Sequence, residues 1–122
     1  MTPYTRIYLE IRKVLDNLNG IDFYSSRPKE EVKYPFIYLG EQFKQNNRIH
    51  KDGLNGNTQV TIHFYHNNLY ERGTLAKMMG DVEKALIEVF DFNGENITGQ
   101  IINENTTGVE LLHGILEIEI NY

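Results

Sequence analysis

The chain has 122 residues, 40% hydrophobic and 11% aromatic, which suits a single globular domain spanning 1–122 rather than a disordered segment. It holds no Cys, which excludes disulfides, thiolate metal sites and a Cys nucleophile. Its 12 Lys and Arg against 17 Asp and Glu give a net charge of −5, the wrong balance for a broad phosphate-binding face; no apolar run approaches the roughly 20 residues of a membrane span, and the N-terminus has no signal-peptide core.

The first predicted element is a helix. Thr2 is placed to cap it, and Pro3 suits the first helical position. Tyr4, Ile7, Tyr8, Ile11, Val14, Leu15 and Leu18 recur at spacings of three and four, which defines one apolar face. Asn19-Gly20 stops the helix, and Ile21 to Tyr24 reads as a short strand. A polar connection from Ser25 to Lys33 leads to Tyr34-Pro35, which opens a strand through Phe36, Ile37, Tyr38 and Leu39. Gly40 is expected at a bulge and the strand's end near Phe43. The polar stretch Lys44 to Asn57 contains the turn pairs Asp52-Gly53 and Asn55-Gly56; it is either an extended hairpin or a mobile loop.

Thr58 to His66 is the clearest strand, with Val60, Ile62 and Phe64 alternating against Thr61, His63 and Tyr65. Asn67-Asn68 breaks it. A second helix runs from Tyr70 or Thr74 to Phe90, with Leu75, Met79, Val82, Leu86 and Val89 as its stripe. Glycine weakens a helix interior, so either this helix starts after Gly73 or Gly80 permits a close contact. Two strands follow, Ile97 to Asn105 and Val109 to Tyr122. In the last, Leu116, Ile118 and Ile120 alternate with Glu117, Glu119 and Asn121, the pattern of a sheet with one buried and one wet face. The expected fold is therefore α+β, in the order α-β-β-β-α-β-β. An antiparallel sheet of about five strands carries two helices packed on one face.

The search for chemistry returns no catalytic set. His63 and His66 are three apart on a strand and point to opposite faces, so they cannot chelate one metal. His113 and His50 lie on other segments, and each histidine reads as wet or hydrogen-bonded. Glu117 and Glu119 share a wet face, and Glu30-Glu31 is a loop pair; neither places two carboxylates in unequal environments. No phosphate-cradling glycine motif or nucleophile elbow occurs. The one locally basic stretch carries Lys44, Arg48, His50 and Lys51, with no acid before Asp52. Tyr24, Tyr34, Tyr38, Tyr65, Tyr70 and Tyr122 are either interface anchors or core periphery.

Four features together resemble the small phage tail-completion proteins, also called tail terminators or head–tail joining proteins. They are the N-terminal amphipathic helix ending at Gly20 before a short strand; Tyr34-Pro35-Phe36-Ile37-Tyr38-Leu39; Val60-Thr61-Ile62-His63-Phe64-Tyr65 followed by a polar break and a helix closing with Leu86; and His113-Gly114-Ile115-Leu116-Glu117-Ile118. The resemblance implies a non-enzymatic virion protein with no cofactor and no bound metal. Such a protein forms a ring, usually of six subunits, on the last ring of the tail tube, stops the tube's growth and presents a surface to the head connector. The implied partners are the protein itself, the tail tube protein and the head connector protein, with at most transient contact with DNA and no membrane. The protein would be made in the host bacterial cytoplasm and end at the head-proximal end of the tail. The length, polarity and charge of the Lys44–Asn57 stretch nominate Lys44, Arg48, His50 and Lys51 as interface residues. Tyr122 joins them, on a strand expected near a sheet edge or subunit boundary. Two other functions compete: a head-completion or connector adaptor, and a small-molecule binding domain using a cleft between sheet and helices.

Overall fold

The computed structural model describes residues 3–18, 22–24, 33–50, 53–90, 97–105 and 108–121. The elements are α1 (Pro3–Asp16), β1 (Asp22–Tyr24), β2 (Phe36–His50), β3 (Gly53–His66), α2 (Arg72–Phe90), β4 (Ile97–Glu104) and β5 (Leu111–Asn121). The proposed caps at Thr2 and Gly20 lie outside the described residues. The five strands form one sheet in the order β1-β2-β3-β5-β4.

The sheet is mixed, which corrects the all-antiparallel expectation. β1 runs parallel to β2, with Asp22 opposite Phe36 and Tyr24 opposite Tyr38. Parallel neighbours need a longer return than a hairpin turn, and residues 25–35 separate the two strands. The other pairings are antiparallel.

Helical periodicity places Ile7, Ile11 and Leu15 of α1 in the core, joined by Leu75, Met78, Met79, Val82 and Leu86 of α2. They meet Ile37, Leu39, Val60, Ile62, Phe64, Leu116, Ile118 and Ile120, the alternate residues of three strands. Burying each large aliphatic side chain contributes roughly 1.5–3 kcal/mol. α1 closes at Asp16, short of Asn19, in a tightened turn where the Leu18 N–H donates to the Leu15 carbonyl. α2 begins at Arg72. Before it, Asn68 Oδ1 accepts the Tyr70 N–H and the Glu71 carboxylate accepts the Thr74 hydroxyl. Neither alternative for the helix glycines holds. Gly73 lies inside the first turn, and a Cβ on Gly73 or Gly80 would have no neighbour within 4 Å. The close contact is at Gly114 of β5, where a Cβ would sit 2.7 Å from Met79 Sδ. Val89, expected in the stripe, is exposed.

β2 does not end near Phe43. Its pairing with β3 runs from Phe36–Tyr65 to His50–Gly53, with register shifts between Leu39 and Gln42 and between Asn46 and Arg48. The first shift spans Gly40. β5 accompanies β3 only as far as the Asn57–Asn121 rung. Beyond it the hairpin continues as a two-stranded arm with no third strand beside it among the described residues. The strand leading to Tyr122 lies between β3 and β4, one strand in from the sheet's edge. Its last residues, Glu119 to Asn121, pair with β3 past the start of β4.

Candidate functional site

The sheet face away from the helices is not simply wet. Phe36, Tyr38, Tyr65 and Leu111 form a second buried cluster, with Tyr24 and Tyr34 packed against it. Tyr65 is 1% exposed, His63 8% and His113 6%. Tyr38 and Tyr65 are therefore buried rather than surface anchors. Tyr24 and Tyr34 are half-buried, and Tyr70 is 97% exposed.

Strand register assembles this face. Tyr38 lies opposite His63, and Tyr65 lies opposite His113. Directly opposed side chains on one face are close enough to interact. The Tyr38 and His63 rings stack at 4.5 Å and 9°, and the Tyr65 and His113 rings at 4.3 Å and 11°. The two tyrosines lie 5.9 Å apart, also within 9° of parallel. Phe36 extends the array by stacking on Tyr65 at 5.4 Å.

The diagonal contact between the imidazoles is polar. His63 Nδ1 and His113 Nε2 are 2.7 Å apart, so the rings meet edge to edge through a hydrogen bond. Glu41 Oε2 lies 3.1 Å from His63 Nε2, and Glu104 Oε1 lies 3.6 Å from His113 Nδ1. A carboxylate only accepts, so the Glu41 contact puts a proton on His63 Nε2. A neutral His63 then accepts at Nδ1 the proton that His113 carries on Nε2. A further proton on His113 Nδ1 would be held against Glu104. The sequence Glu41–His63–His113–Glu104 thus crosses β2, β3, β5 and β4 in turn.

Gly40 makes room for this arrangement. A Cβ there would lie 2.5 Å from His63 Cδ2, 2.6 Å from His63 Nε2 and 3.2 Å from the Thr61 carbonyl. Glu41, next along the bulge, is largely exposed, and its carboxyl is held below the usual carboxylate range. The larger cause is a hydrogen bond from its own backbone; the hydrogen bond from His63 is next.

The hydrogen-bonded run Glu41–His63–His113 can share a proton and fix strand register, while Glu104 stands at an ion-pair distance of 3.6 Å from His113 rather than in a hydrogen bond. Two facing imidazoles fall short of the three or four ligands of a zinc site. Among the described residues no group of three or more His, Asp or Glu is arranged to hold a metal. An open depression of about 180 Å³ lies on the same face at the β4 edge, lined by Thr98, Gly99, Gln100, Ile115 and Glu117. Drug-sized ligand sites occupy ~300–1,000 Å³, and this depression does not reach the histidines.

The arm is the second candidate. Register places Lys44 opposite Thr58, Arg48 opposite Asn55 and His50 opposite Gly53, which brings three of the nominated residues onto one hairpin. Lys51 and Tyr122 lie outside the described residues. Alternation in the sequence puts each of His63 and His113 on a face, but only strand order and register bring together residues 50 positions apart. No protein-family model matches the chain, and no curated protein is significantly similar to it.

Proposed function

We propose that the protein is a virion structural protein that caps the phage tail tube, ends its polymerisation and forms part of the head–tail junction. It works as a ring of copies at the head-proximal end of the tail, after synthesis in the bacterial cytoplasm. The observation that carries this reading is the two-stranded β2–β3 arm. A two-stranded hairpin is marginal by itself in water. This one is polar through most of Lys44 to Asn57 and leaves the main body of the sheet past the Asn57–Asn121 rung. An arm of that kind gains its stability by docking on a partner's surface, as assembly requires. The resemblance of the four sequence segments to tail-completion proteins supplies the class of partner, namely tube and connector.

On this reading the buried histidines are architectural, holding four strands in one register beneath the interface. The test is electron microscopy of particles from the parent phage or prophage lacking the gene. Abnormally long tails, separate from filled heads, are the expected result. Tails of normal length beside unattached heads would assign the protein to the connector side instead. Intact infectious particles would overturn both assignments.

A further inference from the structure

The two sides of the sheet differ in charge and in edge protection. On the β2 side, the arm carries Lys44 and Arg48, and the sequence from Lys44 to Lys51 contains no acid. On the other side, β4 pairs only with β5 among the described residues, and along it the Arg72 guanidinium donates to the Ile101 carbonyl at 3.4 Å, leaving the Thr98–Gln100 end of the edge without a strand partner. Natural edge strands are usually blunted by Lys, Pro or a bulge. β4 has none of these: Ile97 to Asn103 is uncharged, its register with β5 is unbroken, and Ile102 is exposed. From Ala85 to Tyr122 there is no Lys or Arg at all, while Glu117 and Glu119 stand on the adjacent strand.

We infer that the β4 edge is the docking site for the basic β2–β3 arm of a second copy of this chain. The open depression at that edge fits such an occupant. Ile115 supplies an apolar wall for the stem of a Lys or Arg, Glu117 supplies the counter-charge, and Thr98 and Gln100 complete a polar rim. One strand of the incoming arm hydrogen-bonds along β4 and extends the sheet from copy to copy.

A second copy is favoured over an unrelated partner because both complementary surfaces belong to this chain. A copy cannot satisfy itself, since β3 and β5 separate its arm-bearing β2 from its own β4. The contact is therefore head to tail, and it closes into a ring when the rotation per step divides a full turn. Two-fold pairing of β4 with β4 would instead leave Glu117 of each copy, on β5 beside that edge, without a basic arm opposite it. The inference deepens the proposed ring and rests on the premise that the protein assembles with itself.

The absence of native Cys makes cross-linking unambiguous. One full-length protein carries Asn46→Cys on the arm and another carries Thr98→Cys on β4; both are checked for native circular dichroism, mixed at high concentration and oxidised. The expected product is the mixed dimer, in at least about tenfold excess over either protein linked to itself, a preference of about 1.4 kcal/mol. Adding Glu117→Lys to the β4 partner should cut its yield several-fold, and adding Lys44→Glu and Arg48→Glu to the arm partner should restore it. A dominant Thr98→Cys self-link, no cross-link, or a yield indifferent to these charge reversals would overturn the inference. Failure here together with overlong tails in the deletion strain would remove this interface and leave the capping function standing.

Discussion

The helix-covered face of the sheet and the opposite face bury their side chains by different means. Under the helices the contacts are aliphatic and non-directional: Ile7, Ile11, Val60, Ile62, Leu86 and their neighbours fill space. Across the sheet the buried groups are rings in parallel array and two imidazoles joined by a hydrogen bond. The first face gains free energy in proportion to the area removed from water and tolerates volume-conserving exchange. The second gains less from area and more from geometry, because a one-residue slip of β3 would turn His63 and Tyr65 toward the helices. One face supplies stability, and the other specifies which strands lie side by side and in what register.

The largest effect should come from breaking the aliphatic face. Phe64→Ala removes a fully buried ring beneath α2 and should cost about 3–5 kcal/mol in urea denaturation. A loss below about 1 kcal/mol would mean that the helices do not depend on this layer. Next comes Gly40→Ala on the other face, where the added Cβ collides with the His63 ring. An overpacking cost of about 1–3 kcal/mol is expected. In a His63→Ala background that cost should shrink, because the obstructing ring is gone; an undiminished cost would trace the effect to the bulge backbone instead. The smallest effect is electrostatic. Glu41's carboxyl is lowered in the folded state, so its contribution is fully present above the ordinary carboxylate range and is lost as pH falls through the depressed folded value. Glu41→Gln should therefore destabilise slightly at neutral pH, with a gap to wild type that closes in acid. Solvent screening at this exposed side chain keeps the gap small. Unfolding midpoints across that pH range check the sign, and a gap that widens in acid would contradict it.

Much of the aliphatic face is legible from sequence because it depends on local period alone. Ile7, Ile11 and Leu15 recur at helical spacing and are buried; Val60, Ile62 and Phe64 alternate and are buried. The aromatic face is only half legible by the same rule. Alternation assigns His63 and Tyr65 correctly to the face opposite Phe64, yet reading that face as wet fails because neighbouring strands supply Tyr38 and His113 to cover them. The parallel run of β1 is likewise non-local, since three residues carry no mark of strand direction. The continuation of β2 through Lys44 to His50 carries no sequence signal of its own, because polar residues fit a two-stranded arm as well as a loop. The β4 edge depended on knowing that β5 is inserted between β3 and β4.

The ring array also gives the molecule its own optical signature. The chain has no Trp, so its near-ultraviolet signal comes from tyrosine and phenylalanine alone. Tyr38 and Tyr65 are held parallel, and each faces an imidazole, whereas the exposed Tyr70 has no such environment. Near-ultraviolet dichroism consequently reports in large part on the aromatic face, with Phe64 and Tyr8 adding a signal from the helix-covered side, while the far-ultraviolet band at the helical minima reports on α1 and α2. A condition that erases the first and spares the second would reveal a molecule whose helices persist after its strand-ordering face has come apart.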